Sequence, residues 1–280
     1  MTTALMFPGQ GSQTDDMRDT VARLRPDLLE RAAAAVGEDP FPRVGDGTAY
    51  AQPAIFCASL ARWTALVERS GTQAEYLAGH SLGEIGALVA AGVLREQDGL
   101  ELVVLRGRLM QEAGEGAGDG GMIALLGGQA AALAAQVAEP HGLSIANDNS
   151  PQQVVLSGLR AALPGAEQTA RELGLRAMIL PVTGAFHSPL MASAVPPFRE
   201  ALAGVEIAPA RATVISAVTA EPFDDVRARL AEALTGPVRW REVLLALRAR
   251  GVTRFHEVGP GRVLSGLVKR TLREVELVDA

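Results

Sequence analysis

EYLAGHSLGEIGALVAAG, residues 75–92, is the stretch on which the fold of this chain turns. Tyr76-Leu77-Ala78 reads as a short buried strand. Gly79-His80-Ser81-Leu82-Gly83 is a G-x-S-x-G turn, and residues 84–91 have the apolar density of a packed helix ended by Gly92. Strand, tight turn and helix in that order form a nucleophile elbow, in which the serine hydroxyl stays exposed while two glycines relieve the crowding between strand and helix. Ser81 is the candidate nucleophile. The Leu82 amide, at the start of the helix, can point at an oxygen that becomes negative during attack on a carbonyl, aided by the helix dipole. The chemistry this predicts is acyl transfer or acyl hydrolysis.

Outward from the elbow, residues 4–7 (ALMF) read as a first buried strand that runs into the loop Pro8-Gly9-Gln10-Gly11-Ser12-Gln13. This loop lacks the G-K-[ST] ending of a phosphate loop. Helices follow over 17–24, around 28–36, and from Gln52-Pro53 to 69, with a Pro- and Gly-rich loop at 39–47. The alternation implies a parallel sheet with helices on its faces. After the elbow, residues 96–111 read as an amphipathic helix carrying Arg106 and Arg108, and the five glycines of 114–121 as a flexible connection.

Beyond it the pattern changes. Strands at 122–126, 143–146, 153–156 and 176–181, with helices at 129–138 and 166–173, give the order β-α-β-β-α-β of a ferredoxin-like unit. The expected fold is therefore α/β: a hydrolase-like parallel-sheet main domain, 1–118 and 184–280, with an inserted ferredoxin-like subdomain, 119–183.

The 280 residues are 48% hydrophobic and 21% charged, a globular composition with ample core. A formal net charge of -6 argues against a nucleic-acid binder. No apolar stretch reaches membrane-spanning length, and the N-terminus has no basic segment before its apolar run. The single cysteine, Cys57, sits in an apolar helical stretch and fits a reducing compartment, so a cytoplasmic protein is expected. Four scattered histidines without a cysteine cluster give no metal site.

A serine nucleophile needs a base. His80 adjoins Ser81, but on a sharp turn its side chain points elsewhere, so it suits a supporting role. His141 lies in a subdomain turn and reads as solvated. His256 precedes Glu257-Val258-Gly259-Pro260 at a strand end and reads as structural. His187, where the main domain resumes, is the best base by elimination.

Several motifs now stand in order: Phe7-Pro8-Gly9-Gln10-Gly11-Ser12-Gln13, the Gly79–Glu84 elbow, Arg106-Gly107-Arg108-Leu109-Met110-Gln111, Asn149-Ser150-Pro151 before Gln153-Val154-Val155, Phe186-His187-Ser188, Gly236-Pro237-Val238-Arg239-Trp240 and Glu257-Val258-Gly259-Pro260-Gly261. Together, over nearly the whole chain, they resemble the malonyl-CoA:acyl carrier protein transacylases of fatty-acid synthesis and the discrete acyltransferases of polyketide pathways. The resemblance implies a Ser81–His187 dyad, an oxyanion hole framed by Gln10 and the Leu82 amide, and Arg106 on the malonyl carboxylate. A guanidinium suits that task because it offers a carboxylate two parallel hydrogen bonds and stays charged when partly buried. It further implies malonyl-CoA and an acyl carrier protein as partners, with no cofactor beyond the coenzyme A thioester, which is substrate. The chain is expected to act in trans and as a monomer.

Two departures stand out. Ala233 falls where many relatives place a glutamine that orients the histidine, and Asp15-Asp16 replace a glycine-containing stretch. Gly184-Ala185-Phe186-His187 resembles the His-Ala-Phe-His that accompanies malonyl specificity, with Phe186 filling the space an α-methyl needs. Arg239, Arg241, Arg248, Lys269, Arg270 and Arg273 are candidates for docking an acidic carrier. The competing readings are an acyl hydrolase, an enzyme moving larger acyl groups between carriers, and a noncatalytic binding module.

Overall fold

Strand β1 (Thr2–Phe7) is the middle of a five-stranded parallel sheet, and its alternation decides what packs on each face. Leu5 and Phe7 point into a core shared with Phe56, Ile85 and Leu88, while Ala4 and Met6 point into a second core around Trp240, Leu244 and Leu267. Burial on both faces explains the continuous apolar run ALMF, as expected for a central parallel strand. The computed structural model describes residues 2–71, 74–116 and 118–278.

Helices α1 (Met17–Leu24), α2 (Pro26–Val36) and α3 (Thr48–Ser70) lead to β2 (Tyr76–Gly79), and the elbow turns into α4 (Gly83–Ala90) and α5 (Glu96–Gly116). The second sheet follows as β3 (Gly120–Leu126), α6 (Ala130–Ala138), β4 (Ser144–Ser150), β5 (Gln153–Leu159), α7 (Leu163–Glu172) and β6 (Arg176–Ile179). The chain returns through α8 (Val195–Ala203), β7 (Thr213–Ile215), α9 (Val226–Glu232), α10 (Trp240–Ala249), β8 (Val252–Glu257), α11 (Val263–Thr271) and β9 (Glu276–Val278). The main sheet has the order β7-β2-β1-β8-β9, and the antiparallel sheet the order β4-β5-β3-β6. The latter is the order of a ferredoxin-like unit. Its outer face is covered by α6 and α7, whereas Met122, Ala124, Ala146 and Val155 on the other face join the core of the main sheet.

The two sheets are tied along β4. The Val238 N–H donates to the Ala146 carbonyl at 2.8 Å and the Asp148 N–H to the Val238 carbonyl at 2.9 Å. Arg241 adds a forked ion pair to Asp148, with its Nε 2.9 Å from Oδ1. The subdomain thus forms a fixed wall beside the elbow.

Three local expectations are corrected. Helix α3 starts at Thr48, so Pro53 lies inside it. The Gln111 side chain reaches over from α5 and accepts the Ala49 N–H at 3.3 Å, satisfying the first turn before the proline. Helix α5 runs on through Gly116, and β3 opens at Gly120. A Cβ at Gly114 would lie 3.1 Å from the Gly184 Cα, and one at Gly120 2.8 Å from the Ala185 nitrogen. These glycines admit a close backbone crossing, not a slack linker; Ala117 lies outside the described residues. Strand β9 was not expected. It is a three-residue edge, too short to show a period.

A Cβ on Gly83 would sit 2.1 Å from the Phe7 carbonyl oxygen, with no flexible side chain able to give way. Gly83→Ala should therefore lose about 2–4 kcal/mol in urea denaturation. Gly266, in α11 with open space around it, is the control: Gly266→Ala should gain about 0.5–1 kcal/mol.

Candidate active site

Ser81 has φ 55°, a left-handed conformation that a serine adopts only under constraint. The constraint is crowding. A Cβ on Gly79 would lie 2.0 Å from the Gly83 carbonyl carbon, so strand and helix meet here with nothing between them. The turn lifts Ser81 out of the core into a cleft of ≈ 630 Å³. Gln10, Ser81, Leu82, Arg106, Phe186 and His187, all singled out in the sequence, line this one cleft.

His187 is the second residue near the reaction centre with a positive φ, at 58°. Its Nε2 is 2.8 Å from Ser81 Oγ. Its Nδ1 faces two carbonyl oxygens, Ala233 at 2.8 Å and Gly236 at 3.2 Å. Carbonyls only accept, so Nδ1 must carry the hydrogen, and the neutral ring is left with Nε2 as the acceptor of the serine proton. Among the described residues no side chain is hydrogen-bonded to Nδ1. The Ala233 contact comes from its backbone, so an alanine side chain is enough at this position.

Burial, then the Arg106 charge, then His80, hold the His187 pKa down to about 3. This environment favours the neutral imidazole. His80 is half-buried, its ring edge-on to Trp240 at 5.6 Å and its Nε2 2.8 Å from Asn149 Oδ1. It ties the elbow to β4, as befits a supporting role. His141 is half-buried, with Nε2 2.9 Å from Thr169 Oγ1, more engaged than a solvated residue, and His256 is buried within β8.

Arg106 is 3% exposed, while Arg108 two residues on is on the surface. One Arg106 nitrogen donates to Gln52 Oε1 at 2.8 Å and the other to Ser81 Oγ at 3.0 Å. Gln52 is in turn fixed by its Nε2, which donates to Thr48 Oγ1 at 2.8 Å. A guanidinium held against the nucleophile stabilises developing negative charge on Oγ and offers a site for an anionic substrate group.

Gln10 is exposed on the loop after β1, and a Cβ on Gly9 would meet the His80 carbonyl at 2.4 Å, so this loop lies directly on the elbow. In the elbow, the Gly83 N–H already bonds back to the His80 carbonyl at 3.0 Å, one residue after Leu82. Phe186 packs over Gly184, where a Cβ would be 2.9 Å from its ring.

Gln52, Asn149 and the Gly236 carbonyl were not assigned roles from sequence, whereas Ala233 was marked as the position of a histidine-orienting group. Asn149 was visible only as part of a motif, and backbone carbonyls leave no residue signature. Among the described residues there is no group of three or more His, Cys, Asp or Glu that could hold a metal ion, and no helix long and apolar enough to cross a membrane.

The family model described as the acyl transferase domain matches residues 5–280. The malonyl CoA-acyl carrier protein transacylase of Bacillus subtilis is 39% identical over 293 residues, covering 98% of this chain and 92% of that protein. The polyketide biosynthesis protein ThaF of Burkholderia thailandensis is 38% identical over 282 residues, covering 96% of this chain but 24% of its own length, so the chain spans about a quarter of that protein. A solved complex of a type II PKS acyl-carrier protein with its malonyl-transacylase aligns with TM-score 0.90 at 33% identity, over 100% of this chain and 96% of that one.

With a base held at about 3, inactivation of the free protein by a neutral sulfonyl fluoride should keep a constant rate from about pH 8 down to about pH 5. The sign follows from the depressed value: activity is lost only as pH falls through the folded pKa. A midpoint near 6.5, the ordinary histidine value, would place His187 in water instead.

Proposed function

The chain belongs to the acyl transferase domain family, and from that premise we propose that it transfers a malonyl group from malonyl-CoA to the phosphopantetheine thiol of an acyl carrier protein, for fatty-acid or polyketide chain extension. The observation that carries this reading is a buried arginine 3.0 Å from the serine oxygen, a place where a simple acyl chain would gain nothing from a cation.

Ser81 Oγ attacks the thioester carbonyl while His187 Nε2 takes its proton. The negative oxygen lies toward the Leu82 amide and Gln10, and the malonyl carboxylate lies on Arg106. Collapse breaks the carbon–sulfur bond, and the coenzyme A sulfur leaves with the proton from His187. In the second half the carrier thiol gives its proton to His187 and attacks the malonyl-serine ester, and Ser81 recovers the proton as it departs. The dyad supplies every proton transfer, so no cofactor beyond the thioester substrate is required.

Carrier docking is best supported at α11, whose Val263, Leu264 and Leu267 border the cleft. Arg239 and Arg241 are already paired with Glu242 and Asp148, which makes them weaker docking candidates. Arg248, Lys269, Arg270 and Arg273 pair with no carboxylate among the described residues and remain to meet an acidic partner. We read the enzyme as a cytoplasmic monomer; Cys57, fully buried with its thiol pushed up to about 12, is suited to a structural role in a reducing compartment.

Intact-protein mass after brief exposure to malonyl-CoA, methylmalonyl-CoA and acetyl-CoA tests the reading. A malonyl adduct is expected on the parent and not on Ser81→Ala. Arg106→Ala should slow malonyl loading by about a hundredfold, since a charge-assisted hydrogen bond contributes roughly 1.5–3 kcal/mol. Release of free acid faster than transfer to a carrier would instead make the chain a hydrolase. Phe186 fills the cleft beside His187, and an added methyl costs about 1–3 kcal/mol in a packed site. Malonyl-CoA should thus be preferred over methylmalonyl-CoA by about tenfold or more, and equal loading would remove Phe186 from the selectivity.

A further inference from the structure

Helix α11 borders the cleft and carries two of the cations assigned above to carrier docking, yet its first turn has no cap of its own. Val263, Leu264 and Leu267 line the cleft, and Lys269 and Arg270 stand exposed in the last turn. The residue at the N-cap position supplies no side-chain cap. Glu257, 5% exposed at the end of β8, supplies one from farther back in the chain. One carboxylate oxygen accepts the Leu264 N–H at 2.9 Å. The other accepts the Ser265 N–H at 2.8 Å and the Ser265 hydroxyl at 2.7 Å. These amides are among those a helix leaves unsatisfied at its start, and a carboxylate there also meets the positive end of the helix dipole.

The turn between Glu257 and α11 is pinned to the nucleophile's side of the molecule. The Val258 N–H donates to the Met6 carbonyl at 2.7 Å. A Cβ on Gly259 would lie 2.4 Å from the Pro8 ring, and one on Gly261 2.8 Å from the Ser12 carbonyl oxygen. These contacts hold the turn against the loop that carries Gln10, and none of them uses the Glu257 carboxylate. The carboxylate has a different task. It locks the first turn of α11 to this fixed base, and Leu264, one of the residues it holds, is itself part of the cleft wall. Without it α11 keeps its buried face, Leu264, Leu267 and Val268 in the core around Trp240, but its first turn is free to shift along the cleft.

We propose that Glu257 is a positioning residue for carrier recognition: by clamping α11 to the end of β8, it fixes the cleft wall and the exposed cations of α11 at one spacing from Ser81. The inference rests on the carrier-docking reading above. Glu257 does not line the cleft, so it acts through α11 alone. Glutamine cannot replace it. Each carboxylate oxygen accepts a backbone N–H, whereas an amide has one oxygen and would turn its NH2 toward the other donor. Loss of the clamp therefore weakens the fit of a large partner that spans α11 and leaves the Ser81–His187 chemistry intact. A loss of stability alone would act differently, since fewer folded molecules lower every rate in proportion and leave KM where it was.

The test is steady-state transfer from malonyl-CoA to a holo acyl carrier protein, with inactivation by the neutral sulfonyl fluoride run beside it as a measure of Ser81 and His187. Glu257→Gln should raise the KM for the carrier about threefold to tenfold, with kcat and the inactivation rate within about twofold of the parent. Ser265→Ala removes the hydroxyl bond and keeps both amide bonds, and it should raise the same KM by about twofold to threefold. That variant carries the test if Glu257→Gln does not fold. An unchanged carrier KM in the folded variant, or an inactivation rate that falls in step with transfer, would overturn the proposal and leave Glu257 with a role in stability only. If the parent transfers no malonyl group to the carrier, the malonyl reading itself has failed and this inference falls with it.

Discussion

The Phe7 carbonyl is the point on which the site depends. It accepts the His80 N–H at 2.9 Å, and it stands where a side chain on Gly83 would have to go. One oxygen at the end of β1 thereby fixes both the strand side and the helix side of the elbow. Ser81, caught between them, is driven to φ 55°, a strain of about 1–3 kcal/mol that the surrounding core absorbs. Because β1 runs straight on into Pro8 and Gly9, the same packing brings Gln10 into the cleft that holds the serine. A nucleophile and one wall of its cleft follow from a single backbone contact.

Electrostatics then set the chemistry. A carboxylate behind His187 would raise its pKa, but here carbonyl dipoles orient the ring and a buried guanidinium lowers its proton affinity. The result is an imidazole pushed toward its neutral form beside a guanidinium that has no carboxylate within ion-pair distance among the described residues. Both suit a thioester, whose sulfur leaves readily and asks little of the acid, and an acyl group that carries its own negative charge. Burial lowers the Arg106 guanidinium to about 10, with the Glu84 charge acting in the opposite sense.

The elbow was legible because its signal is steric: G-x-S-x-G between a strand and an apolar helix admits few backbones. The ferredoxin-like order was legible from strand and helix periods, since α6 and α7 cover only one face of its sheet. Arg106 was harder. Arg106 and Arg108 share one helix and one residue type, and only the tertiary packing of α5 on α3 sends the first inward and the second to solvent. Gln52 was taken as a helix start because of Pro53, whereas the cap comes from Gln111, distant in sequence. The glycines at 114–121 suggested slack for a similar reason: glycine marks close approach as readily as flexibility, and the partner, Gly184 with Ala185, lies far along the chain. His187 was reached by elimination and by the Phe186-His187-Ser188 motif, while its two backbone partners have no side-chain signature.

The tie between the sheets bears on how substrates are sorted. β4 is joined to the segment before α10 by backbone hydrogen bonds in both directions, reinforced by Arg241 with Asp148 and by His80 with Asn149. The wall facing Ser81 is thus continuous with the main domain, and a donor enters a cleft already shaped. In such a cleft, discrimination comes from fixed charge and fixed volume, not from closure around the correct substrate. In the reading proposed above, Arg106 would supply the charge and Phe186 the volume. They and Ser81 line one cleft, with the serine's position dictated by the Phe7 carbonyl, so a shift in any one of the three changes the shape the others present.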